Sequence, residues 1–326
     1  MSHPSAARKI APQPDGDQPA PQPRARRMLL VFNPTAGRRK GKLDAIMSAL
    51  AARGWNVTLR ETAYAGDATR IARELTEGYD VLAVAGGDGT LNEAANGLAD
   101  GQGGGEGTGK MPALAVLPFG TANVLAHEIG LGIDETRVAA AAADGRPTEI
   151  YLGQAHYFGG RHPRRFLLMA GVGFDAAVVA GVSGGLKRRL GKGAYVWRMI
   201  VELFRYDFPP FVVTVDGAEY PCASAVVAKG HYYGGRFVCA PDARLTDDDF
   251  QVCLFLSKGR FAVLRYALAL GLGALHKLPD VKLVRGRNVR IDGPQGAPVQ
   301  GDGDIIAALP AALSVVAEPI RVMYPQ

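Results

Sequence analysis

The run AVAGGDGTLNEAANGL at residues 83–98 constrains the fold more than any other part of this chain. An apolar strand over Val81 to Ala85 breaks into Gly86-Gly87-Asp88-Gly89-Thr90, and helix-forming residues follow at once. Glycines at such a junction admit positive φ and let bare backbone N–H groups approach a ligand. The helix start adds unpaired amides and a partial positive charge, a seat for phosphate. Asp88 does not suit a site built only for anions, because it would repel phosphate. Its carboxylate makes sense as a ligand for Mg²⁺ or as the acceptor of a proton from an attacking hydroxyl. A glycine turn closed by Asp is the plainer reading of the same residues. The motif points to phosphoryl transfer without establishing it.

The flanking pattern places that junction in a parallel sheet. LLVFN is a short buried strand, and 39–53 carries Leu43, Ile46, Met47 and Leu50 at helical spacing. VTLRET reads as a strand, 67–77 as a helix opened by Asp67 and closed by Gly78, and DVLAVA as the third strand. A helix over 90–98, a glycine-rich loop, the strand ALAVLP and a helix through 121–129 complete the series. Repeated β-α-β units with short apolar strands imply a parallel sheet covered on both faces. Ligands bind such sheets at the carboxyl ends of the strands, where Asn33, Asp88 and Thr121 all fall.

Beyond about residue 150 the character changes. EIYLGQA, RRFLLMAGVG, FVVTVDG, ASAVVAKG, FQVCLFLS, VKLVRG and NVRIDG are short strands between Gly, Pro or Asp turns. That pattern predicts an antiparallel sandwich or barrel, interrupted by helices at 186–204 and 260–275. The domains are therefore expected as a disordered tail over 1–26, an α/β domain over 27–148 and a β domain over 149–305. Residues 306–326 form a C-terminal segment free to return to the first domain.

Charge and cysteine usage exclude several classes. The net charge is +6, but Arg8, Lys9, Arg24, Arg26 and Arg27 against Asp15 and Asp17 put half of it in the tail, so nucleic acid is not the expected partner. Cys222, Cys239 and Cys253 are widely spaced and odd in number, as for reduced core thiols in the cytosol. The six histidines show no metal-ligand spacing. The first 27 residues lack the apolar run of a signal peptide. FAVLRYALALGLGAL at 261–275 is shorter than the roughly 20 apolar residues of a bilayer span, and Arg265 interrupts it.

Two motifs mislead. GGEGTGKM at 104–111 nearly spells a P-loop, but Met111 stands where Ser or Thr should hold Mg²⁺, and a strand follows instead of a helix. GVGFDA at 171–176 matches a relaxed dinucleotide fingerprint, yet no acidic residue follows until Glu202.

Asn33-Pro34-Thr35-Ala36-Gly37 ends the first strand and leads into Arg38, Arg39 and Lys40; Leu117 to Asn123 ends the fourth with a second Gly-Thr step. Three strand ends carrying Gly, Thr, Asn and Asp are hard to explain as packing. With NPTAG at 33–37, TAYAGDA at 62–68, GGDGTLNE at 86–93, PFGTAN at 118–123, APDARLTDDDF at 240–250 and GDGD at 301–304, residues 28–325 resemble the soluble diacylglycerol kinase and sphingosine kinase family.

The resemblance implies an α/β nucleotide-binding domain joined to a mainly antiparallel β-sandwich lipid domain, with ATP in the cleft between them. It implies that Asn33, Pro34, Thr35, Ala36, Gly37 and Thr62 line the nucleotide, together with Ala85, Gly86, Gly87, Asp88, Gly89, Thr90 and Leu91, and with Gly120, Thr121 and Asn123. Asp88 would organise a catalytic Mg²⁺ or act as base. The late D-G-E motif of the bacterial enzymes appears as Asp302-Gly303-Asp304, making Asp304 the other candidate base; a hairpin turn is its plainer reading. Asp247, with the carbonyls of Arg244 and Asp249, resembles a second, structural Mg²⁺ site, although Thr246 and Asp248 replace the usual Asp and Gly. Val124 stands where many members carry Asp.

The implied reaction is ATP- and Mg²⁺-dependent transfer to a membrane lipid hydroxyl, most simply diacylglycerol to phosphatidate, by a cytoplasmic protein peripheral to the inner membrane face. Lys187, Arg188, Arg189 and Lys192, flanked by Leu186, Leu190 and Trp197, could meet anionic headgroups, or form a solvated helix face. Sphingoid base or ceramide kinase, NAD kinase and a catalytically silent binding protein remain alternatives, and a homodimer is left open.

Overall fold

Between Arg27 and Asp144, buried strands alternate with helices, and the hydrophobic pattern supplies the reason. The computed structural model describes residues 25–36, 40–75, 78–102, 111–157, 163–182 and 192–326. The tail 1–24, Gly37 to Arg39, the loop 103–110 and the expected basic run Lys187 to Arg189 with Leu186 and Leu190 lie outside the described residues, as does the side chain of Lys192.

Strands β1 (Arg27–Phe32), β3 (Val81–Gly86) and β4 (Ala113–Pro118) are buried almost throughout, as continuous apolar runs covered on both faces require. With β2 (Asn56–Glu61), β5 (Arg146–Ile150) and the last strand, β20 (Ile320–Tyr324), they form a sheet ordered β2-β1-β3-β4-β20-β5. Pairing is parallel up to β20, and β5 closes the edge antiparallel. Helix α1 (Lys40–Ala52) packs with α5 (Glu135–Asp144), and α2 (Asp67–Arg73) packs with α3 (Asp88–Gln102). The short α4 (Val124–Glu128) follows β4. From β1 the chain moves outward to β2 and then returns past β1 to β3. The order reverses there, and a ligand crevice opens at such a switch point.

The second half contributes two six-stranded sheets. One is β10-β9-β16-β19-β6-β7, built from β6 (Gly153–Tyr157), β7 (Arg164–Phe166), β9 (Phe211–Val215), β10 (Ala218–Cys222), β16 (Asn288–Asp292) and β19 (Ala311–Val315). The other is β15-β14-β11-β8-β17-β18, built from β8 (Met169–Val172), β11 (Ser224–Ala228), β14 (Phe250–Phe255), β15 (Val281–Gly286), β17 (Pro298–Gly301) and β18 (Asp304–Ala308). Their facing sides share a core in which Phe166 stacks on Phe250 at 5.9 Å. Helices α6 (Phe174–Gly181), α7 (Lys192–Arg205) and α8 (Arg260–Gly271) and the small hairpin of β12 (Tyr232–Tyr233) and β13 (Phe237–Val238) complete this half. All three cysteines are buried free thiols.

Several boundaries differ from the sequence expectation. EIYLGQA is two strands, because the chain leaves the first sheet after Ile150 and enters the second at Gly153. RRFLLMAGVG also splits, because the N–H groups of Leu167, Leu168 and Met169 donate to the Asp302 carboxylate and leave no ladder to continue. Residues 306–315, expected in the C-terminal segment, complete β18 and β19 of the second half; only β20 returns to the first sheet. Helix α2 ends at Arg73, and α4 starts at Val124 because Asn123 is left-handed, with φ 49°. The unexpected α5 is Ala-rich and capped by Asp134, whose side chain accepts from Arg137 N at 2.9 Å.

Candidate active site

The three strand ends singled out in the sequence meet. Asn33 N donates to Ala85 O at 2.9 Å, and Phe119 N and Gly120 N donate to Gly86 O at 3.0 and 3.2 Å. Parallel pairing sets this meeting, since Phe32 is level with Ala85 and Gly86 with Pro118. Asn33 organises the first loop: its Nδ2 donates to Thr90 Oγ1 at 2.9 Å, while its Oδ1 accepts from Thr35 N and Thr35 Oγ1 at 3.0 and 2.8 Å. Pro34, Thr35, Gly89 and Thr121 are exposed, whereas Ala36 is half-buried. The side chains of Ala85 and Leu91 belong to the core, so only their backbone is available to a ligand. Thr62 stands one strand outward, its N–H donating to Phe32 O at 2.9 Å. Gly37 lies outside the described residues.

Gly87 and Gly120 are packed backbone to backbone. A Cβ on Gly120 would stand 2.5 Å from Gly87 Cα, whereas one on Gly87 would stand 3.4 Å from Gly120 Cα. The two alanine variants should therefore separate. Gly120→Ala must push the loops apart and lower stability, whereas Gly87→Ala fits the fold and intrudes on the ligand side. Calorimetry with ATP on Gly87→Ala should show weakened binding beside a near-normal melting temperature; unchanged affinity would count against a phosphate seat here.

Asp88 opens α3 half-buried, and its Oδ1 accepts from Leu125 N at 3.1 Å in the first turn of α4. The same carboxylate thus ties two helix starts together. Asn123 Nδ2 donates to Gly120 O at 2.9 Å, but its buried Oδ1 has no hydrogen-bond partner. A buried acceptor left unpaired is costly, and it suits a cation or a donor brought by a ligand. Asp88 and Asn123 accordingly fit a divalent ion at this loop. Val124 is buried in the core and offers no ligand.

Helix α3 also reaches the second half. Asn92, one turn beyond Asp88 on the same face, donates from Nδ2 to Asp302 Oδ2 at 2.5 Å. Leu167 N donates to the same oxygen at 2.6 Å, and Leu168 N and Met169 N donate to Oδ1 at 3.0 Å each. Asp302 is thereby a half-buried clasp between the two halves. Burial pushes its carboxyl up to about 6, against the pull of these donors. Asp302 (φ 50°) and Gly303 (φ 87°) form the tight turn from β17 to β18, and exposed Asp304 follows directly. Burial raises the pKa of Glu93 on α3; the amides of Gly66 and Ala68 oppose this, and the charges of Asp304 and Asp67 add to it. The charge of Asp304 therefore reaches Glu93 across the seam.

The acidic loop departs from the expected structural Mg²⁺ site. The ammonium of the fully buried Lys229 donates to the carbonyls of Asp247 and Asp249, the latter at 3.0 Å. Arg285 bonds the Asp247 carboxylate at 2.6 Å and the Asp249 carboxylate at 2.7 and 2.8 Å, and the Arg244 carbonyl accepts from Asp247 N at 3.1 Å. These residues do not fit a second metal, because an ammonium already sits on the carbonyls and would repel a dication. Burial pulls the Lys229 pKa down to about 8, while the charges of Asp249, Asp247 and Asp248 resist the fall. Removing one partner of a buried charged cluster strands the others, so Lys229→Met should cost about 3 kcal/mol. Urea unfolding of variant and wild type in EDTA checks this; equal midpoints would show that Lys229 holds nothing together.

The sequence profile described as Diacylglycerol kinase catalytic domain matches residues 27–155. The YegS C-terminal NAD kinase beta sandwich-like domain matches residues 169–324. A diacylglycerol kinase of Mycobacterium tuberculosis is 30% identical over 260 residues, covering 78% of this chain and 80% of its own. The chain belongs to the diacylglycerol kinase family. That membership makes it a lipid kinase, and it implies ATP as the phosphoryl donor. A diacylglycerol kinase of Staphylococcus carnosus is 28% identical over 307 residues, 92% of this chain and 96% of that one. Two solved structures from Bacillus anthracis share the fold, with TM-scores of 0.75 and 0.68 at 24% and 22% identity, over 94% and 93% of this chain and 98% of theirs.

Within this diacylglycerol kinase fold, sequence reasoning missed three contributors. Asn92 and Glu93 lie inside GGDGTLNE yet received no role, although the four-residue step from Asp88 to Asn92 marks a shared helix face. Lys42 of α1 brings a cation beside the fourth strand end, its Nζ donating to Pro118 O at 3.4 Å and Ile133 O at 3.2 Å. Only the fold shows that Lys42 is near.

Proposed function

We propose that this lipid kinase transfers the γ-phosphoryl group of ATP to the free hydroxyl of diacylglycerol, forming phosphatidate and ADP. The observation that carries the reading is the glycine-lined seat at the switch point, with Asp88 beside it and Asp304 delivered across the seam by the Asp302 clasp.

In the transfer, the bond from the γ-phosphorus to the bridging oxygen breaks while the acceptor oxygen bonds that phosphorus. The hydroxyl proton passes to a carboxylate. Such chemistry asks the protein mainly for positioning and charge. Backbone amides of the Gly86–Thr90 and Gly120 loops hold phosphate oxygens, with Asn33 keeping the neighbouring Thr35 turn in shape. Asp88 and the orphaned Oδ1 of Asn123 would hold Mg²⁺. Bound there, the ion supplies neutralisation of the phosphates. Asp304 accepts the hydroxyl proton; Asp88 is the competing base. Glu93 on the same helix as Asp88 is kept more basic by burial and by Asp304.

The test is one assay of the purified full chain with ATP, in Mg²⁺ or in EDTA. Diacylglycerol, sphingosine, ceramide and NAD serve as acceptors, and products are read by mass spectrometry. Phosphatidate formed only with Mg²⁺ is the expected result. Turnover of NAD alone, or of none of the four, overturns the reading; phosphorylation of a sphingoid lipid alone corrects the acceptor.

A further inference from the structure

Helix α8 is built inside out. It buries Ala262, Tyr266 and Ala269 and turns Phe261, Leu264, Leu268 and Leu272 to solvent, Phe261 and Leu272 being 82% and 73% exposed. A helix seated on a core normally does the reverse. Neighbouring α7 does likewise, with Trp197 58% and Phe204 66% exposed. The two helices touch, and the Arg260 guanidinium lies over the Phe204 ring at 5.5 Å. Among the described residues, nine of the fourteen exposed large hydrophobics belong to α7, to α8, or to Leu256 and Leu272 that flank α8. Phe237 of β13, which packs beside α8, is a tenth. Isolated exposed apolar residues need no explanation, but a concentration of this kind marks an interaction surface.

Charge identifies the occupant. From Leu256 to Leu278 the sequence holds Lys258, Arg260, Arg265 and Lys277 and no acidic residue, although Arg265 is paired with Asp280 just beyond. All four are exposed, as is Arg205 at the end of α7. On α7 the one carboxylate, Glu202, is buried and paired with Arg198. An aromatic and aliphatic ridge with a cationic rim is the composition of a helix lying in the interface of an anionic bilayer. No helix among the described residues is long and apolar enough to cross a membrane, so the ridge would dock rather than span.

We propose that the α7–α8 ridge docks the enzyme on bilayers containing anionic phospholipid, with Trp197 and Phe261 entering the headgroup region. This rests on the lipid kinase reading only in that the acceptor is a bilayer lipid. The hairpin of β12 and β13 joins α8 on one side and α4 on the other, so the docked face continues toward the loop that ends in Asn123.

The test uses the full chain with phosphatidylcholine vesicles, with and without phosphatidylglycerol. Wild type should co-sediment with the anionic vesicles and shift its tryptophan emission to the blue. Trp197→Phe should abolish that shift, because the other tryptophan, Trp55, is buried. The triple variant Phe261→Ser, Leu268→Ser, Leu272→Ser should lose at least about tenfold in vesicle affinity, as expected when an apolar face is removed, while its melting curve stays near that of wild type. Lys258→Glu with Arg260→Glu should erase the preference for phosphatidylglycerol. Turnover of a short-chain diacylglycerol in solution should be spared in all of these variants. If the triple variant binds vesicles like wild type, the proposal is overturned. The same holds if light scattering shows a dimer that the triple variant dissolves without affecting vesicle binding. Failure of wild type to phosphorylate any lipid while it still binds vesicles would strike the proposed reaction and leave the docking surface standing.

Discussion

Asp88→Asn is expected to fold normally and to lose at least about 100-fold in turnover, the scale of a missing acid–base or charge-organising group. The folding half follows from the contact that Asp88 makes. One side-chain oxygen accepts the Leu125 amide, and the carbonyl oxygen of Asn can accept it as well. Stability should therefore change by less than the loss of a helix cap, about 1 kcal/mol. What Asn cannot supply is the negative charge, needed whether the carboxylate holds Mg²⁺ or takes the proton. Steady-state kinetics beside a thermal melt separates the two roles. A folded variant with near-normal turnover would leave Asp88 as the tie between α3 and α4 and nothing more.

Asp304→Asn should reduce the catalytic rate on a comparable scale, about 100-fold for a lost general base, while ATP affinity is kept. Asp304 stands at the start of β18, and the clasp that sets the turn belongs to Asp302, so the exchange leaves the seam intact. Asp304→Glu keeps the carboxylate and should retain activity. The Asn variant has a second signature. The charge of Asp304 is one of the influences raising the pKa of Glu93, so removing it should lower the pKa of that carboxyl. Its protonation, followed by NMR, should move to lower pH. Normal turnover in the Asn variant would make Asp88 the base and Asp304 a turn residue.

How legible this site was in the sequence depends on the range of each interaction. The GGDGT turn and the two Asn- and Gly-bearing loops were readable because strand, turn and helix start are local in sequence, and parallel pairing then brings their ends together without further instruction. The late Asp-Gly-Asp was readable as a hairpin for the same reason. The surroundings of the acidic loop were not readable because its neutralising groups come from elsewhere: Lys229 on the segment after β11, and Arg285 on β15. No local pattern ties those cations to residues 244–249. The split of RRFLLMAGVG was hidden in the same way, since an apolar run reads as one strand until a carboxylate 133 to 135 residues away captures its amides.

The sequence alone determined the class of each half. Hydrophobic periodicity reports burial on one face or both, and glycines at strand ends report where backbone must be bare. Those properties belong to single elements, and they survive whatever the rest of the chain does. Only the tertiary structure decided which carboxylates are spoken for. Asp302 is consumed by four donors, Asp247 and Asp249 are neutralised by distant cations, and Asp88 is engaged through one oxygen. It also decided that α8 buries Ala262, Tyr266 and Ala269 and turns Phe261, Leu264 and Leu268 outward. A charge or an apolar face acquires its role from what packs against it. Those partners lie tens to hundreds of residues away, beyond the reach of any periodic signal.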